Sequence, residues 1–532
     1  MDKKRRLKKF LILLILAFIC GACSSNKQKN HETQEDQLIY GNTKDIRDIN
    51  PHLYSGEMAA QNMVFEGLTK NEHGKVKPAL AESWSISPDG LCYTFRLRKN
   101  VKFSNGENFD ANTVKMNIDA ILSNKNRHAW LELVNQIKNT KVIDKFTFQL
   151  NLKKPYYPTL TELALTRPFR FIAPSCFING ETKNGVKNYI GTGPWILKEH
   201  KNNQEAIFIK NDNYWGKMPK MNQVVWKVIP DSQTLELALK NREIDLIYGS
   251  DGDQISTTNF TELENDKNFS TYISNPIASR AVLLNSNRPF LKDLKVRKAV
   301  EYAVDKTSIV KGVLNNIEIE APTVLSSNVP YCDVNLKNYN YDPNKAKSLL
   351  EQAGWYLGND NIREKNGKQL KLVFSYNSQN EQEGEIAQVI QSNLKQIGIL
   401  VDILPEEKQM FLDRQKNGNF DLQYSLSWGT PYDPQSYVSS WRIPAHGDYQ
   451  AQQGLSRKKW LDEKISQTLV ESDDITRKNN YKEILTYISD QCIYLPISYS
   501  RTKAIATSQL KGVTFNDSQY EIPFEKMYKL QN

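Results

Sequence analysis

The sequence predicts a mixed α/β fold that is divided into two lobes. The chain has 532 residues, and the roughly 500 residues of its mature part exceed the size at which single hydrophobic cores stop growing, about 250–300 residues. Segments with strand patterns alternate with segments with helix patterns along this length, and such alternation is typical of α/β domains. No segment repeats at a fixed period.

Strand patterns dominate the first half of the chain. Residues 93–98 alternate apolar and polar side chains, as a half-buried strand does. Residues 141–152 show the same pattern twice, with a joint at Asp144-Lys145. The following elements are a strand at 223–229, a helix at 231–240 and a strand at 244–248.

Helix start and stop signals are clearest in the second half. Asp342 precedes Pro343, which is the order of an N-cap and a first helical residue, and Gly354 ends that helix. A second helix stops at Gly398, and its apolar residues recur at helical spacing: Ile386, Val389, Ile390, Leu394 and Ile397. Strands are predicted at 399–404 and 493–497, and a short polar tail follows.

The N-terminus predicts a lipoprotein signal peptide over residues 1–22. Residues 1–10 contain six Lys and Arg and one Asp, and residues 10–19 are apolar. That apolar run is about half of the ~20 residues that a membrane-spanning helix needs. Small residues before Cys23 resemble a bacterial lipobox, in which the cysteine is acylated, although Cys20 is unusual three positions earlier. Cys23 is therefore the predicted lipidation site, and cleavage to a free secreted protein is the alternative.

Residues 23–36 predict a flexible tether between the anchor and the folded part. They are polar and have no apolar period, so they cannot bury enough surface to order themselves. Two acyl chains suffice for stable attachment to a membrane. No later segment approaches ~18 consecutive apolar residues. The expected location is therefore outside the cytoplasm, on the cell membrane, through a lipid anchor.

The charge distribution argues against a nucleic-acid partner. The net charge is +10, but the first ten residues carry a net +5 of it. The mature part then lacks the dense basic stripe that nucleic-acid binding favours.

The remaining cysteines do not predict a metal cluster or a disulfide framework. They are widely spaced, without a C-x-x-C motif: Cys92, Cys176, Cys332 and Cys492. An extracytoplasmic location would permit disulfides, but the spacing does not require one. Four buried thiols are expected.

Enzyme motifs are missing from the sequence. It contains no G-x-S-x-G, no H-E-x-x-H and no paired Cys/His metal cluster. Gly191-Thr192-Gly193-Pro194 lacks the spacing of a phosphate loop and predicts a tight turn. We therefore expect neither an enzyme nor a permanently bound cofactor.

Several runs resemble the peptide/nickel-binding family of solute-binding proteins of ABC importers. They lie at residues 49–54, 63–68, 80–84, 101–106, 191–195, 213–216 and 296–300. The resemblance implies a two-lobe, hinge-connected periplasmic-binding-protein fold of the large peptide/nickel-binding type, with a discontinuous first lobe. The implied lobes are 37–275 and 276–498, with residues 499–532 returning to the first lobe. It also implies a monomer whose partners are an ABC permease and an ATPase.

The nickel-binding branch of this family resembles the chain most. The similar segments are 127–133, 167–174, 428–434 and the loop that ends at His446. The resemblance implies a nickel or cobalt chelate as ligand, with histidine or a related small chelator. It implies His446 as the metal ligand and Arg127 and Arg167 as the residues that hold the chelator's carboxylates. The implied pocket lining is Trp130, Trp428, Tyr432, Tyr54 and Met58.

The chemistry of these residue types agrees with a chelate. Divalent nickel and cobalt accept imidazole and carboxylate ligands, but one imidazole leaves most of the coordination shell open. A guanidinium binds a carboxylate through two parallel hydrogen bonds. Aromatic faces exclude water and stack on an imidazole or a guanidinium.

Other interpretations of these residues remain open. His446 could be a solvated loop residue, the arginines could pair with surface carboxylates, and the aromatic residues could be core. His52 is interpreted as structural, and His128 could point away from the pocket. The main rival function is an oligopeptide or metallophore receptor of the same fold, and an adhesion or signalling protein that has kept the fold is a second.

Overall fold

The structure, a computed structural model, describes residues 36–72, 74–249 and 254–530. The predicted signal peptide, the lipidation site Cys23 and all but the last residue of the tether lie outside the described residues. Among the described helices, none combines the length and the apolar character that crossing a membrane requires.

The N-terminal part of the chain, up to residue 273, forms twelve of the described strands and six of the described α-helices. The strands are β1 (Gln37–Asn42), β2 (Thr69–Glu72), β3 (Lys75–Pro78), β4 (Ala81–Ile86), β5 (Cys92–Leu97), β6 (Ile137–Asp144), β7 (Thr147–Leu152), β8 (Trp195–Lys201), β9 (Glu205–Lys210), β10 (Gln223–Val228), β11 (Leu246–Gly249) and β12 (Phe269–Ile273). The helices are α1 (Met58–Val64), α2 (Ala111–Ser123), α3 (Glu132–Gln136), α4 (Thr159–Leu163), α5 (Ser232–Lys240) and α6 (Thr257–Glu264).

The middle part contains more helix. Its strands are β13 (Ala278–Leu284), β14 (Ile319–Glu320), β15 (Tyr356–Leu357), β16 (Arg363–Lys365), β17 (Lys368–Gln369), β18 (Lys371–Asn377), β19 (Leu400–Glu406), β20 (Leu422–Leu426) and β21 (Tyr494–Ser500). Its helices are α7 (Leu294–Ala303), α8 (Lys306–Gly312), α9 (Pro343–Gln352), α10 (Glu381–Gln396), α11 (Lys408–Asn417), α12 (Gln435–Ser440), α13 (Gly447–Gln452), α14 (Lys458–Val470) and α15 (Asp474–Asp490). The C-terminal part adds β22 (Lys503–Thr507), β23 (Leu510–Lys511) and β24 (Tyr528–Lys529).

Two large sheets organise the described chain. The first has the strand order β12-β22-β11-β1-β10-β9-β8, and the second has the order β14-β21-β13-β20-β18-β19. Strand β22 pairs antiparallel with both β11 and β12, so a C-terminal strand lies inside the N-terminal sheet. The chain therefore passes between the sheets after β12 and again after β21. Both passages lie close to residues 275 and 499, and the lobe boundaries 37–275, 276–498 and 499–532 stay a prediction.

The element predictions agree with the structure, and the mixed α/β class is confirmed. The Asp342 side chain accepts a hydrogen bond from Lys345 N and caps α9, as a short acceptor before Pro343 predicts. Gly398 has φ +84° after α10, a left-handed conformation that glycine adopts without a steric penalty.

The largest buried hydrophobic cluster draws on both parts of the chain, from Leu38 to Trp441 and beyond. Polar contacts accompany it. The Tyr157 hydroxyl lies 2.7 Å from the Tyr481 hydroxyl, and the Arg442 guanidinium lies 3.6 Å from the Glu132 carboxylate. The two parts are thus packed against each other, and the candidate site lies at this junction.

The cysteine prediction needs one correction. Cys92, Cys176, Cys332 and Cys492 are all free, and three of them are buried, but Cys92 is only partly buried. It begins β5, whose residues alternate between the core and the surface, so the strand period decides its exposure.

Candidate chelate-binding site

A cavity of about 290 Å³ lies between the N-terminal and middle parts. Its lining brings together seven of the eight residues predicted for the pocket. The lining residues are Tyr54, Met58, Trp130, Arg167, Trp428, Tyr432, His446 and Tyr520. Arg127 is the predicted residue that does not line it, and Tyr520 was not predicted.

Among the described residues, no protein group forms a hydrogen bond with the His446 imidazole. It is the N-cap residue of α13, but its side chain makes no capping hydrogen bond. Its ring lies 5.7 Å from the Trp428 ring, centroid to centroid. Burial lowers the pKa of His446 against the opposing effect of Asp448, so the ring is neutral at pH 7. A neutral imidazole has a free nitrogen lone pair, which a metal ion can take.

The loop that carries Trp428 and Tyr432 is held by a buried carboxylate. Asp433 accepts hydrogen bonds from Ser427 Oγ at 2.6 Å and from Gly429 N at 3.1 Å. Desolvation by burial raises the pKa of Asp433 to about 7. Gly429 has φ +74°, which an L side chain rarely adopts. These local contacts fix the direction in which the two aromatic rings leave the loop.

Aromatic rings form most of the cavity wall and meet edge to face. The Trp130 and Trp428 ring centroids are 5.3 Å apart at 80°, and those of Tyr432 and Tyr520 are 5.6 Å apart at 88°. Such T-shaped pairs match the positive edge of one ring with the negative face of the next. The Tyr432 hydroxyl lies 3.8 Å from Met58 Sδ. The wall is therefore apolar and joins residues from both parts of the chain.

Arg167 is the guanidinium that reaches the cavity. Its Nη1 donates to Gly56 O at 3.1 Å, and its Cζ lies 5.0 Å from the centre of the Tyr54 ring. Burial lowers the pKa of Arg167. Among the described residues no carboxylate forms an ion pair with it, so its remaining N–H groups are free to bind an anion.

Arg127 does not line the cavity. It is exposed, and its Cζ is 5.9 Å from the Tyr54 ring centre, outside the cavity lining. The two arginines therefore approach one tyrosine ring, but Arg167 alone of this pair faces the cavity.

Two residues near the site were not predicted as pocket residues. Tyr520 lies in the polar tail, where no period marks it as a wall residue, and Gln519 Nε2 beside it donates to Trp428 O at 3.1 Å. His128 is buried behind Tyr54, 2.6 Å from its hydroxyl. By contrast, His52 is structural as interpreted, because its two ring nitrogens contact Thr182 Oγ1 and Arg170 O.

A second cavity of about 410 Å³ adjoins the first and shares Tyr54, Met58, Arg167 and Tyr520 with it. Its walls are more polar and include Asn42, Gln254 and Gln519. Elsewhere, the described residues contain no group of three or more His, Cys, Asp and Glu side chains that could hold a metal ion.

Residues 75–449 match the family model described as Bacterial extracellular solute-binding proteins, family 5 Middle. The chain belongs to this family. Family 5 members are solute-binding proteins, which confirms the predictions of a non-enzyme, of an extracytoplasmic location and of the two-lobe binding-protein fold.

Individual family 5 members show how close the similarity is. The chain is 43% identical over 501 residues to the nickel-binding periplasmic protein of Escherichia coli (strain K12), covering 93% of this chain and 95% of that protein. It is 25% identical to the dipeptide-binding protein of the same organism, covering 90% and 92%.

Solved structures agree with these relatives. NikA from Brucella suis in complex with Fe(III)-EDTA superposes with a TM-score of 0.91 at 44% identity, covering 93% of this chain and all of that one. NikZ from Campylobacter jejuni in complex with Ni(L-His) gives a TM-score of 0.81 at 28% identity over the same shares.

Proposed function

We propose that this chain is the binding component of an ABC importer and captures a nickel or cobalt chelate outside the cytoplasm. The organic part of the ligand is histidine or a related small chelator. The observation that carries the proposal is one cavity that presents the His446 imidazole and the Arg167 guanidinium together between aromatic rings. The similarity to a nickel-binding periplasmic protein and to a Ni(L-His) complex supports it.

His446 is proposed as the protein ligand of the metal. Nickel and cobalt accept imidazole nitrogen, and the lowered pKa of His446 keeps its ring neutral. One imidazole cannot complete the coordination of a divalent ion, so the remaining donors come from the chelator. The metal is thus transported cargo, and the site selects a preformed complex.

Arg167 is proposed to hold a carboxylate of the chelator, and Arg127 to assist from the rim. A guanidinium stays charged at every physiological pH and binds a carboxylate bidentately. The aromatic wall removes water from this contact, which strengthens it. Trp130, Trp428, Tyr432, Tyr54 and Met58 supply that wall.

Ligand binding is proposed to close the two lobes by a hinge. The ligand would touch Trp130 and Arg167 from residues 37–275 and Trp428 and His446 from residues 276–498. Small-angle scattering should then give a smaller radius of gyration with nickel–histidine than without it. An unchanged radius would contradict closure and would leave the lobe boundaries unsupported.

An oligopeptide or metallophore receptor is the alternative, and the adjoining 410 Å³ cavity favours it. A ligand longer than a bis-amino-acid complex could extend into that space. Peptide receptors grip backbone groups along an extended chain and do not need a metal-facing imidazole.

Titration calorimetry separates these functions. The protein is titrated with nickel alone, with nickel plus L-histidine, and with short peptides. We expect tight binding of nickel–histidine, much weaker binding by His446→Ala, and unchanged binding by His200→Gln. His200 is a suitable control because its Nε2 contacts Asp45 Oδ1 at 2.8 Å and it does not line the cavity. Binding of peptides but not of nickel chelates would refute the metal assignment.

The protein is further proposed to be a monomer that is anchored to the membrane through acylated Cys23 and works with a permease and an ATPase. A Cys23→Ser variant is expected in the culture medium, and retention of this variant in the membrane fraction would contradict lipidation. Light scattering of the soluble part should give the mass of one chain.

A further inference from the structure

The Tyr54 hydroxyl lies between two ring nitrogens behind the cavity wall. Trp130 Nε1 donates to it at 2.6 Å, and His128 Nδ1 lies 2.6 Å on another side. An indole nitrogen is a donor only, whereas a phenol has one proton to give. The Tyr54 oxygen accepts from Trp130, and its own proton has His128 Nδ1 as an acceptor at 2.6 Å in the tautomer of His128 that carries its proton on Nε2.

His128 is suited to accept this proton. It is completely buried, and desolvation together with His52 and Arg127 lowers its pKa to about 4. The ring is therefore neutral at pH 7, and in the tautomer that accepts from Tyr54 its proton is on Nε2. This Nε2 has no hydrogen-bond partner among the described residues. The bond to Tyr54 is thus the one side-chain hydrogen bond that the described structure gives His128.

We infer that His128 is a positioning residue for ligand binding, which orients the Tyr54 hydroxyl and, through it, the Trp130 ring. This inference rests on the proposed function, because Tyr54 and Trp130 are walls of the proposed chelate site. His128 itself does not line that cavity.

The hydrogen-bond chain has a direct consequence for the cavity. Both functions of the Tyr54 hydroxyl, accepting and donating, are used inside the wall. Tyr54 therefore offers its ring to the ligand side, where the Arg167 guanidinium lies 5.0 Å from it. Trp130 is held so that its ring meets Trp428 at 5.3 Å, and Trp428 in turn lies beside His446. Loss of the His128 acceptor would release the Tyr54 hydroxyl and loosen Trp130.

A double-mutant cycle distinguishes positioning from simple space filling. The variants are His128→Leu, which removes the acceptor, His128→Asn, which keeps one near Nδ1, Tyr54→Phe, and Tyr54→Phe combined with His128→Leu. Affinity for nickel–histidine is measured by calorimetry for each. His128→Leu is expected to weaken binding at least about ten-fold, the order of effect of losing a buried hydrogen-bond partner. In the Tyr54→Phe background the same change should alter affinity less than about two-fold.

His128→Asn should restore most of the affinity, because its amide oxygen can accept the Tyr54 proton. Equal losses from His128→Leu in both backgrounds would overturn the inference, since a purely structural residue acts without the Tyr54 hydroxyl. An unchanged affinity for His128→Leu would overturn it as well.

A measurement without ligand keeps this test separate from the proposed function. In protein with ¹⁵N-labelled tryptophan, the Trp130 indole signal is the one that disappears in Trp130→Phe. We expect His128→Leu to shift this signal relative to the wild type. In the Tyr54→Phe background, adding His128→Leu should leave the signal unchanged. Failure of every form to bind nickel–histidine would refute the proposed function, whereas an unshifted indole signal in His128→Leu would refute the positioning role.

Discussion

Replacing Arg167 by methionine should weaken ligand binding without weakening the unliganded fold. The guanidinium makes a hydrogen bond to Gly56 O at 3.1 Å and no ion pair within the described part of the chain. A hydrogen bond from a charged donor contributes about 1.5–3 kcal/mol. Burial lowers the pKa of Arg167, so the folded protein disfavours its charge, and methionine removes that opposing contribution. The two effects have opposite signs, and little net change in stability is expected.

Arg167→Met should weaken binding of the chelate much more than it changes the stability of the unliganded protein. Hydrogen bonds to charged groups contribute about 1.5–3 kcal/mol, which corresponds to roughly 10–150-fold in the dissociation constant. Arg167→Lys should fall between wild type and Arg167→Met, because lysine keeps the charge but loses the planar pair of donors.

The assay combines calorimetry with nickel–histidine and thermal unfolding with and without ligand. Arg414→Met is the matched control, because Arg414 Nε donates to both oxygens of Glu406 at 2.8 Å and lies outside the cavity. This control should lower the unfolding temperature and leave the affinity within about two-fold, since it removes the ion pair with Glu406 and the hydrogen bond to Asn419 O, both outside the cavity lining. The reasoning about Arg167 is wrong if Arg167→Met keeps wild-type affinity, or if its unliganded form unfolds as early as Arg414→Met.

Two further predictions concern the loop that carries Trp428. Gly429→Ala should lower the unfolding temperature, because φ of Gly429 is +74° and an added Cβ would lie 2.9 Å from Ile277 O. Gly312→Ala is the control, because a Cβ there meets no atom within 4 Å and should not destabilise the fold. Equal unfolding temperatures for the two variants would refute this prediction. Asp433→Asn should flatten the pH dependence of stability. The folded-state pKa of Asp433 is raised from 3.8 to about 7, so its contribution is complete below pH ~4 and falls by up to ~4 kcal/mol as the pH rises to 7. Urea unfolding at pH 5 and pH 7 measures the slope, and parallel slopes for variant and wild type would contradict the assignment.

Local signals in the sequence predicted the helices and strands well. The N-cap Asp342, the helix-ending Gly398 and the alternation in β5 all act within a few residues, and the structure contains each as predicted. These features depend on hydrogen bonds and dihedral preferences that neighbouring residues decide. Cys92 is the exception, because the alternation of β5 places it on the less buried face, and the expectation of four buried thiols did not apply that period.

The candidate site was predicted partly from pattern and mainly from resemblance. Seven of the predicted residues line one cavity, although composition alone would have left His446 a loop residue. Arg127 lies outside the cavity lining, Tyr520 was missed, and His128 was named only as a residue that could point away from the pocket. Their contacts join positions far apart in the chain, such as the 74 residues that separate Tyr54 from His128, and no local pattern records such a pair.

The sequence by itself determined the α/β class, the bounds of several elements to within a few residues, the family resemblance and the predicted anchor at Cys23. Only the tertiary structure decided that Arg167 lines the cavity while Arg127 lies outside its lining, and that the half-buried His446 faces the same cavity. The reason is physical. Backbone preferences act over one or two turns, whereas a pocket exists only where the two packed parts of the chain bring distant side chains within a few ångströms of each other.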